Sequence, residues 1–253
     1  MSEAELLRAV LAAPDADAPR LAYADGVAAT DPERAQLIRA QIAATHKRRA
    51  GASWGDEGKL ALTLLGRHHA RWTPRLPVPV TEARFYRGFV ELVATSAEAL
   101  LGGLAELARV VPLRHADVTG AAGRVAALAA ASGVARLVSL GLAQNHLGDA
   151  DAAALAGWPR GRLRWLDLAR NQITVAGLDD LAAAPNLRGL DFIDLMGNPC
   201  GDPVDRPAFD GGLVVDVRPT ERGRELEARH GELAWLHGAD RHRRLWPPER
   251  GDY

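Results

Sequence analysis

Three segments in the second half of the chain place apolar residues at the same uneven spacing. They read LVSLGLAQNHL at 137–147, LRWLDLARNQI at 163–173 and LDFIDLMGNPC at 190–200. In each segment, leucine or isoleucine fills the first, fourth and sixth positions, asparagine fills the ninth, and an apolar residue closes the segment. This repetition predicts one structural unit that occurs three times along the chain.

The asparagine is the most informative position of the repeat. Asn145, Asn171 and Asn198 lie 26 and then 27 residues apart, and the chain contains only one other asparagine. The spacing falls within the period of about 20–29 residues that is typical of leucine-rich repeats. Because an asparagine amide both donates and accepts hydrogen bonds, it can satisfy backbone groups where a strand turns inward. Stacked repeats are therefore predicted to set these amides in a row.

The segments between the repeats have the pattern of short amphipathic helices, as in GDADAAALAG and ITVAGLDDLAAAP. Residues 111–123 match the repeat more loosely, 24 residues before the first clear copy, and predict an atypical first repeat that covers an open end of the core. One strand and one helix per repeat predict an α/β fold. We expect a short leucine-rich-repeat solenoid, with a curved parallel sheet and outer helices, preceded by a small helical domain.

The rest of the chain divides around this array. Residues 1–75 have helical patterns, with Ser2 and Asp31 as predicted N-caps, and are assigned to a helical domain. Within it, THKRRAGASWGDEGK at 45–59 has no periodicity and predicts a mobile loop. Residues 76–203 hold the repeats, and 204–253 form a predicted C-terminal cap and tail, with a last strand at 212–217, a covering helix after it and a loose tail at 246–253.

Composition narrows the function classes. Hydrophobic residues make up 47% of the chain and charged residues 25%, as in ordinary globular proteins. A formal net charge of −1 gives no electrostatic reason to expect nucleic acid or an anionic membrane as a partner. The single cysteine cannot form an internal disulfide, and no apolar run predicts a membrane span. The acidic N-terminus does not resemble a signal peptide, so we expect a cytoplasmic protein.

The N-terminal region resembles a known bacterial domain. The motifs are EAELLRAVLAAPDADAPRLAYAD followed by DPERAQLIRAQIA, with RGFVE at 87–91 and PLR at 112–114. They resemble the repeat-companion domain, which typically precedes leucine-rich repeats in bacterial proteins. The resemblance implies a scaffold of largely uncharacterised role, and it supplies no catalytic residues.

Alternation along the short strands predicts which side chains leave the core. The position before the third apolar residue gives Asp117, Gly141, Asp167 and Asp194, and the position before the second gives His115, Ser139, Trp165 and Phe192. Carboxylates beside exposed aromatic groups favour a protein partner with basic residues at the contact. These side chains are predicted to line the concave face of the curved sheet. The predicted partner-binding residues of this face are His115, Asp117, Arg164, Trp165, Asp167, Arg170, Phe192, Asp194 and Met196.

Three function classes remain open from the sequence. The first is a non-enzymatic scaffold or regulatory subunit, without cofactor or metal, that binds a partner protein; its oligomeric state is open. The second is a substrate or inhibitor of a bacterial protease in a stress or antiviral cascade, cleaved in the 45–59 loop at Arg48 or Arg49. The third is an enzyme that uses scattered groups such as Asp167, Asp194 and His115, although no catalytic motif supports it. Cys200 fills an apolar position of a repeat and is interpreted as structural.

Overall fold

The computed structural model describes residues 1–50, 52–205, 208–210, 213–215 and 218–237. It shows a mixed α/β protein that divides into two compact units. The first unit contains Met1–Val93 and Ala105–Arg114, and the second contains Ala94–Leu104 and the described chain from His115 onward. No helix among the described residues is long and apolar enough to cross a membrane.

Four helices form most of the first unit: α1 (Glu3–Ala12), α2 (Ala18–Val27), α3 (Pro32–Arg49) and α4 (Gly55–Trp72). The predicted N-caps are confirmed. Ser2 and Glu5 form a capping box at α1, and the Asp31 side chain accepts a hydrogen bond from the Arg34 backbone N–H at α3. Both devices satisfy backbone donors that a helix start leaves without partners.

The prediction of a mobile loop over 45–59 is wrong for most of that range. Helix α3 continues to Arg49, and α4 begins at Gly55. Thr45 is fully buried, and the basic residues that follow it occupy the last turn of α3, where positive charge stabilises the carbonyl end of a helix. The Lys47 ammonium also lies 2.6 Å from the Glu57 carboxylate on α4. A cluster of charges therefore marks a helix end here, and the connection is short.

The first two strands, β1 (Glu82–Tyr86) and β2 (Phe89–Ser96), are joined by Arg87 and Gly88. Both residues have positive φ, 47° and 87°, as a two-residue type I′ turn requires. A Cβ on Gly88 would lie 2.3 Å from the Ile38 side chain, so only glycine fits against α3. The Gln41 amide fixes the turn because it accepts a hydrogen bond from Gly88 N and donates one to Phe85 O.

After helix α5 (Ala97–Val110) come four short strands: β3 (His115–Thr119), β4 (Ser139–Gly141), β5 (Trp165–Asp167) and β6 (Phe192–Asp194). The six-stranded sheet has the order β1-β2-β3-β4-β5-β6, and β3 to β6 pair in parallel. The predicted parallel sheet is thereby confirmed. Its register follows the repeat, since His115 pairs with Ser139, Ser139 with Trp165, and Trp165 with Phe192.

Short helices α6 (Val125–Ala130), α7 (Asp149–Leu155) and α8 (Val175–Ala183) lie between these strands, with a 3-10 turn at Val134–Arg136. Helix α7 packs against both α6 and α8. The apolar positions of the repeats are buried. The buried set includes Leu137, Leu140, Leu142, Leu147, Leu163, Leu166, Leu168, Ile173, Leu190, Ile193, Leu195 and Cys200.

Beyond the repeats, β7 (Val204–Asp205) pairs antiparallel with β10 (Arg218–Pro219), and β8 (Ala208–Asp210) pairs antiparallel with β9 (Leu213–Val215). Helix α9 (Glu221–His230) and a 3-10 turn at Ala234–Leu236 follow. The predicted covering helix corresponds to α9, whose His230 lies 3.0 Å from Asp179 on α8. The predicted strand at 212–217 coincides with β9 at 213–215, and the predicted tail at 246–253 lies outside the described residues.

Candidate functional site

The repeat asparagines hold the turns that follow β4, β5 and β6. Asn171 Oδ1 accepts hydrogen bonds from the backbone N–H groups of Asn145 and Leu147, at 2.9 and 3.1 Å. Its Nδ2 donates to Leu142 O and Leu168 O, both at 2.9 Å. One amide thus satisfies backbone groups of its own repeat and of the preceding one, which fixes the spacing of adjacent turns.

The other two asparagines bond in the same manner. Asn145 Oδ1 accepts from Ala121 N at 2.9 Å, and its Nδ2 donates to Val118 O at 2.7 Å. Asn198 Oδ1 accepts from Ile173 N, and its Nδ2 donates to Leu168 O and Leu195 O. All three amides are buried. The atypical first repeat, which contains Val118 and Ala121, is therefore joined to the array by the same bonds as the three clear copies.

Each of these turns also places a left-handed residue directly before its asparagine. The φ angles are 57° at Gln144, 55° at Arg170 and 75° at Gly197. Only the third repeat uses glycine, the residue that adopts this conformation without strain. The backbone path is consequently set by the asparagine bonds and is kept even where the residue is glutamine or arginine.

On the strands that precede these turns, one row of positions runs across the parallel sheet. We call it the aspartate row: Asp117, Gly141, Asp167 and Asp194, which are direct neighbours in the strand register. Asp167 Oδ1 accepts a hydrogen bond from Ala169 N, and Asp194 Oδ1 accepts one from Met196 N, each at 2.9 Å. Both carboxylates therefore brace the turn two residues ahead while remaining half-buried.

Gly141 is the one member of the aspartate row without a side chain. A Cβ at this position would lie 2.2 Å from Asp117 Oδ1, so the carboxylate of the neighbouring strand occupies the space that a side chain would need. The row thus presents three half-buried carboxylates, and that of Asp117 leans over the second position.

The second row holds His115, Ser139, Trp165 and Phe192, and we call it the aromatic row. The expectation that its large members are exposed is wrong for two of them. His115 is 0% exposed and Phe192 only 1%. His115 Nδ1 lies 2.8 Å from Ser139 Oγ, while Trp165 is half-buried. Alternation correctly assigns side chains to one face of a sheet, but it does not determine whether that face is covered.

The predicted cationic and thioether side chains lie at the margins of the two rows. Arg164 is exposed and forms an ion pair with both oxygens of Asp191, so its charge is directed to that residue. Arg170 is exposed in the turn before Asn171, and Met196 is 45% exposed. The structure therefore brings carboxylates, an indole and a thioether together on the strand face, which we define as the aspartate row, the aromatic row, Arg164, Arg170 and Met196.

The other residues singled out from the sequence lie elsewhere. Arg48 and Arg49 belong to the last turn of α3, whereas the sequence prediction placed them in a mobile, protease-sensitive loop. Cys200 is 3% exposed, and burial raises the pKa of its thiol to about 11. Within the described part of the chain, no group of three or more histidine, cysteine, aspartate or glutamate side chains is arranged to hold a metal ion.

Burial of Cys200 gives a direct chemical prediction. At pH 8, a disulfide reagent such as dithionitrobenzoate is expected to react with the native protein about 100-fold more slowly than with the urea-unfolded chain, because thiolate is the reactive form. The native rate should continue to rise with pH up to about 11, the pKa of the thiol. Equal rates in the two states would show that Cys200 is accessible and reactive.

The first unit contains a charge cluster that sequence reasoning missed. The carboxylate of Glu91 is fully buried and lies 2.9 Å from Arg20, 3.0 Å from Arg87 and 3.3 Å from Arg114. Asp17 and Asp15 complete the cluster at 3.1 Å from Arg87 and 3.0 Å from Arg114. Burial lowers the pKa of Arg20 to about 10.

These partners are up to 99 residues apart in sequence, as Asp15 and Arg114 are, so spacing alone does not reveal them. Every arginine of this cluster bonds within the unit. Arg20 and Arg87 both donate to Pro14 O, which ties the α1–α2 connection to the β1–β2 turn. We interpret the cluster as a structural core of the first unit.

Comparison with known proteins adds no identification. The chain matches no protein-family model, no curated protein and no solved structure.

Proposed function

We propose that the protein is a leucine-rich-repeat scaffold or regulatory subunit that binds a partner protein through the strand face. The support is one arrangement: strands in repeat register align three carboxylates beside the half-buried Trp165 and the exposed Met196. Carboxylates in a row attract a partner with lysine or arginine at the contact, and an indole and a thioether provide adaptable apolar area. The proposal includes no cofactor and no catalytic step.

The proposal extends to fold family and location. Parallel strands, helices between them and the asparagine bonds support a leucine-rich-repeat solenoid. Membership of the repeat-companion group is supported by the roles of its motif residues, since Arg20, Arg34 and Gln41 are all buried in the first unit. A cytoplasmic location is supported by the free, buried thiol of Cys200.

The double substitution Asp167→Asn/Asp194→Asn tests the role of the carboxylates. Each asparagine keeps a side-chain oxygen that can accept the hydrogen bond from Ala169 N or Met196 N, while two negative charges are removed. We expect the variant to fold normally and to bind the partner about 10- to 100-fold more weakly. The measurement is affinity purification from the source bacterium, followed by titration of the recovered partner at two salt concentrations.

The matched control is Asp180→Asn/Glu225→Gln, which makes the same change in net charge at exposed positions on α8 and α9. Its affinity should equal that of the wild type. A Trp165→Ala variant tests the apolar part separately. A partner that binds both double variants equally would remove the strand face as the recognition surface and leave the repeats as a spacer.

A further inference from the structure

A cavity of about 480 Å³ lies within the first unit, outside the strand face. Its wall includes apolar and aromatic side chains of α1, α2, α4 and β2, among them Leu7, Val27, Trp72 and Phe89. The volume falls in the range of small-molecule sites, about 300–1,000 Å³. The polar residue that distinguishes this cavity is Arg34, in the first turn of α3.

Arg34 is only 7% exposed, and its guanidinium is surrounded by aromatic rings. The carbon of that group lies 5.2 Å from the ring centres of Phe85 and Phe89 and 5.3 Å from that of Trp72. Its Nη1 is buried without a hydrogen-bond partner. Among the residues that the structure describes, none forms an ion pair with this guanidinium. Rings attract a cation, but a ring face offers no oxygen to accept the N–H bonds.

The two carboxylates of the cavity wall are already bound to other groups. Asp31 accepts from the Arg34 backbone N–H, and its second oxygen accepts from Arg71 and from Trp72 Nε1, both at 2.9 Å. Glu3 accepts from the Tyr23 hydroxyl at 2.5 Å. Neither carboxylate therefore supplies the missing acceptor for Arg34.

The contrast with the nearby charge cluster makes this arrangement unusual. Arg20, Arg87 and Arg114 are also buried, but each lies within 3.3 Å of the Glu91 carboxylate. A buried charge without a hydrogen-bonded partner is costly, and such a group in a cavity is a candidate for ligand binding. Burial also lowers the pKa of Arg34, to about 10, which leaves the group cationic at neutral pH.

We propose that this cavity binds a carboxylate carried on an apolar group, with the carboxylate oxygens accepting hydrogen bonds from Arg34. The apolar part of the ligand lies against Leu7, Val27 and Phe89. Two sources share this chemistry: a free small carboxylic acid and the C-terminal residue of a peptide. The proposal is independent of partner binding through the strand face, so either can fail without the other.

Hydrocinnamate, an aromatic ring on a short chain with a carboxylate, is a suitable probe. We expect it to bind the full chain with a Kd on the order of 0.1–1 mM in isothermal titration calorimetry or saturation-transfer NMR. Hydrocinnamamide, which has the same shape without the charge, is expected to bind at least about tenfold more weakly. The proposal would be overturned if the acid and the amide bound equally, or if the acid did not bind at about 10 mM.

Two substitutions locate the site. Arg34→Met keeps an unbranched chain among the rings but removes the charge, and it should weaken hydrocinnamate binding about 10- to 100-fold. Arg67→Met, at an exposed position of α4 outside the cavity wall, is the control and should leave binding unchanged. If Arg34→Met does not fold, the comparison of acid with amide on the wild type decides the proposal. Hydrocinnamate that binds Arg34→Met as well as wild type would overturn it.

The source of the carboxylate is resolved with a second probe. An N-acetylated tripeptide that ends in phenylalanine has the same terminal chemistry as hydrocinnamate. Binding at least about tenfold tighter than that of hydrocinnamate would assign the site to a peptide C-terminus, and exclusion of the peptide would assign it to free acids. Both results support the proposed chemistry, whereas binding of the C-terminally amidated peptide as tightly as the free acid would contradict it.

Discussion

Replacement of Glu91 by glutamine is expected to lower the free energy of unfolding by about 3–5 kcal/mol. The carboxylate lies fully buried at ion-pair distance from Arg20, Arg87 and Arg114. Glutamine has nearly the same shape, but it removes the negative charge and turns an N–H₂ donor toward groups that can only donate. Three guanidinium groups would then remain in the interior without their shared counter-charge.

Urea denaturation followed by circular dichroism measures this loss. Glu106→Gln is the control, because Glu106 is exposed on the part of α5 that belongs to the same unit, and its effect should stay within about 0.5 kcal/mol. A Glu91→Gln protein as stable as the control would mean that the cluster is hydrated or that its arginines find other partners. The interpretation of the cluster as a structural core would then be wrong.

The second large effect is expected at the central asparagine. Asn171→Ala removes an acceptor for the Asn145 and Leu147 N–H groups and a donor for the Leu142 carbonyl. The Leu168 carbonyl keeps its bond from Asn198 Nδ2. Each buried backbone group left without a partner costs about 1–3 kcal/mol, and we expect a total loss of about 3 kcal/mol or more.

The adjacent residue provides the comparison. Gln172 is an exposed amide at the next position, so Gln172→Ala changes the composition similarly without touching the buried bonds. Its free energy of unfolding should remain within about 0.5 kcal/mol of the wild type. If Asn171→Ala were equally mild, water would have to enter the turn and replace the amide, and the array would not depend on its asparagines.

The repeats could be predicted from the sequence because their evidence is local and recurs. The asparagines are 26 and 27 residues apart, and the same offsets separate the paired residues of neighbouring strands. Ser139 lies opposite Trp165, and Trp165 lies opposite Phe192. Within each repeat, the apolar positions determined which side chains enter the core. Elements that recur in sequence and stack in space carry enough information for such a prediction.

Features that depend on distant or competing interactions were not predicted correctly. Lysine, arginine and glycine at 45–59 suggested a loop, but the basic residues stabilise the end of α3. His115 and Phe192 were assigned to the correct face, yet their burial depends on what covers that face. Similarly, Arg20 and Glu91 meet across 71 positions of the chain, and the sequence does not show that Arg34 is buried with an unpaired Nη1.

The bonds of the repeat asparagines also give the array a polarity. Asn171 completes the turn at Asn145 and Leu147, and Asn198 supplies the acceptor for Ile173 N. The asparagine of each repeat therefore completes the backbone hydrogen bonds of the repeat before it. An inserted copy could form these bonds with both of its neighbours. Duplication of a 26-residue segment within the repeats could therefore lengthen the protein while using the same kinds of contact. Deletion of the last copy, by contrast, would leave Ile173 N without the acceptor that Asn198 supplies.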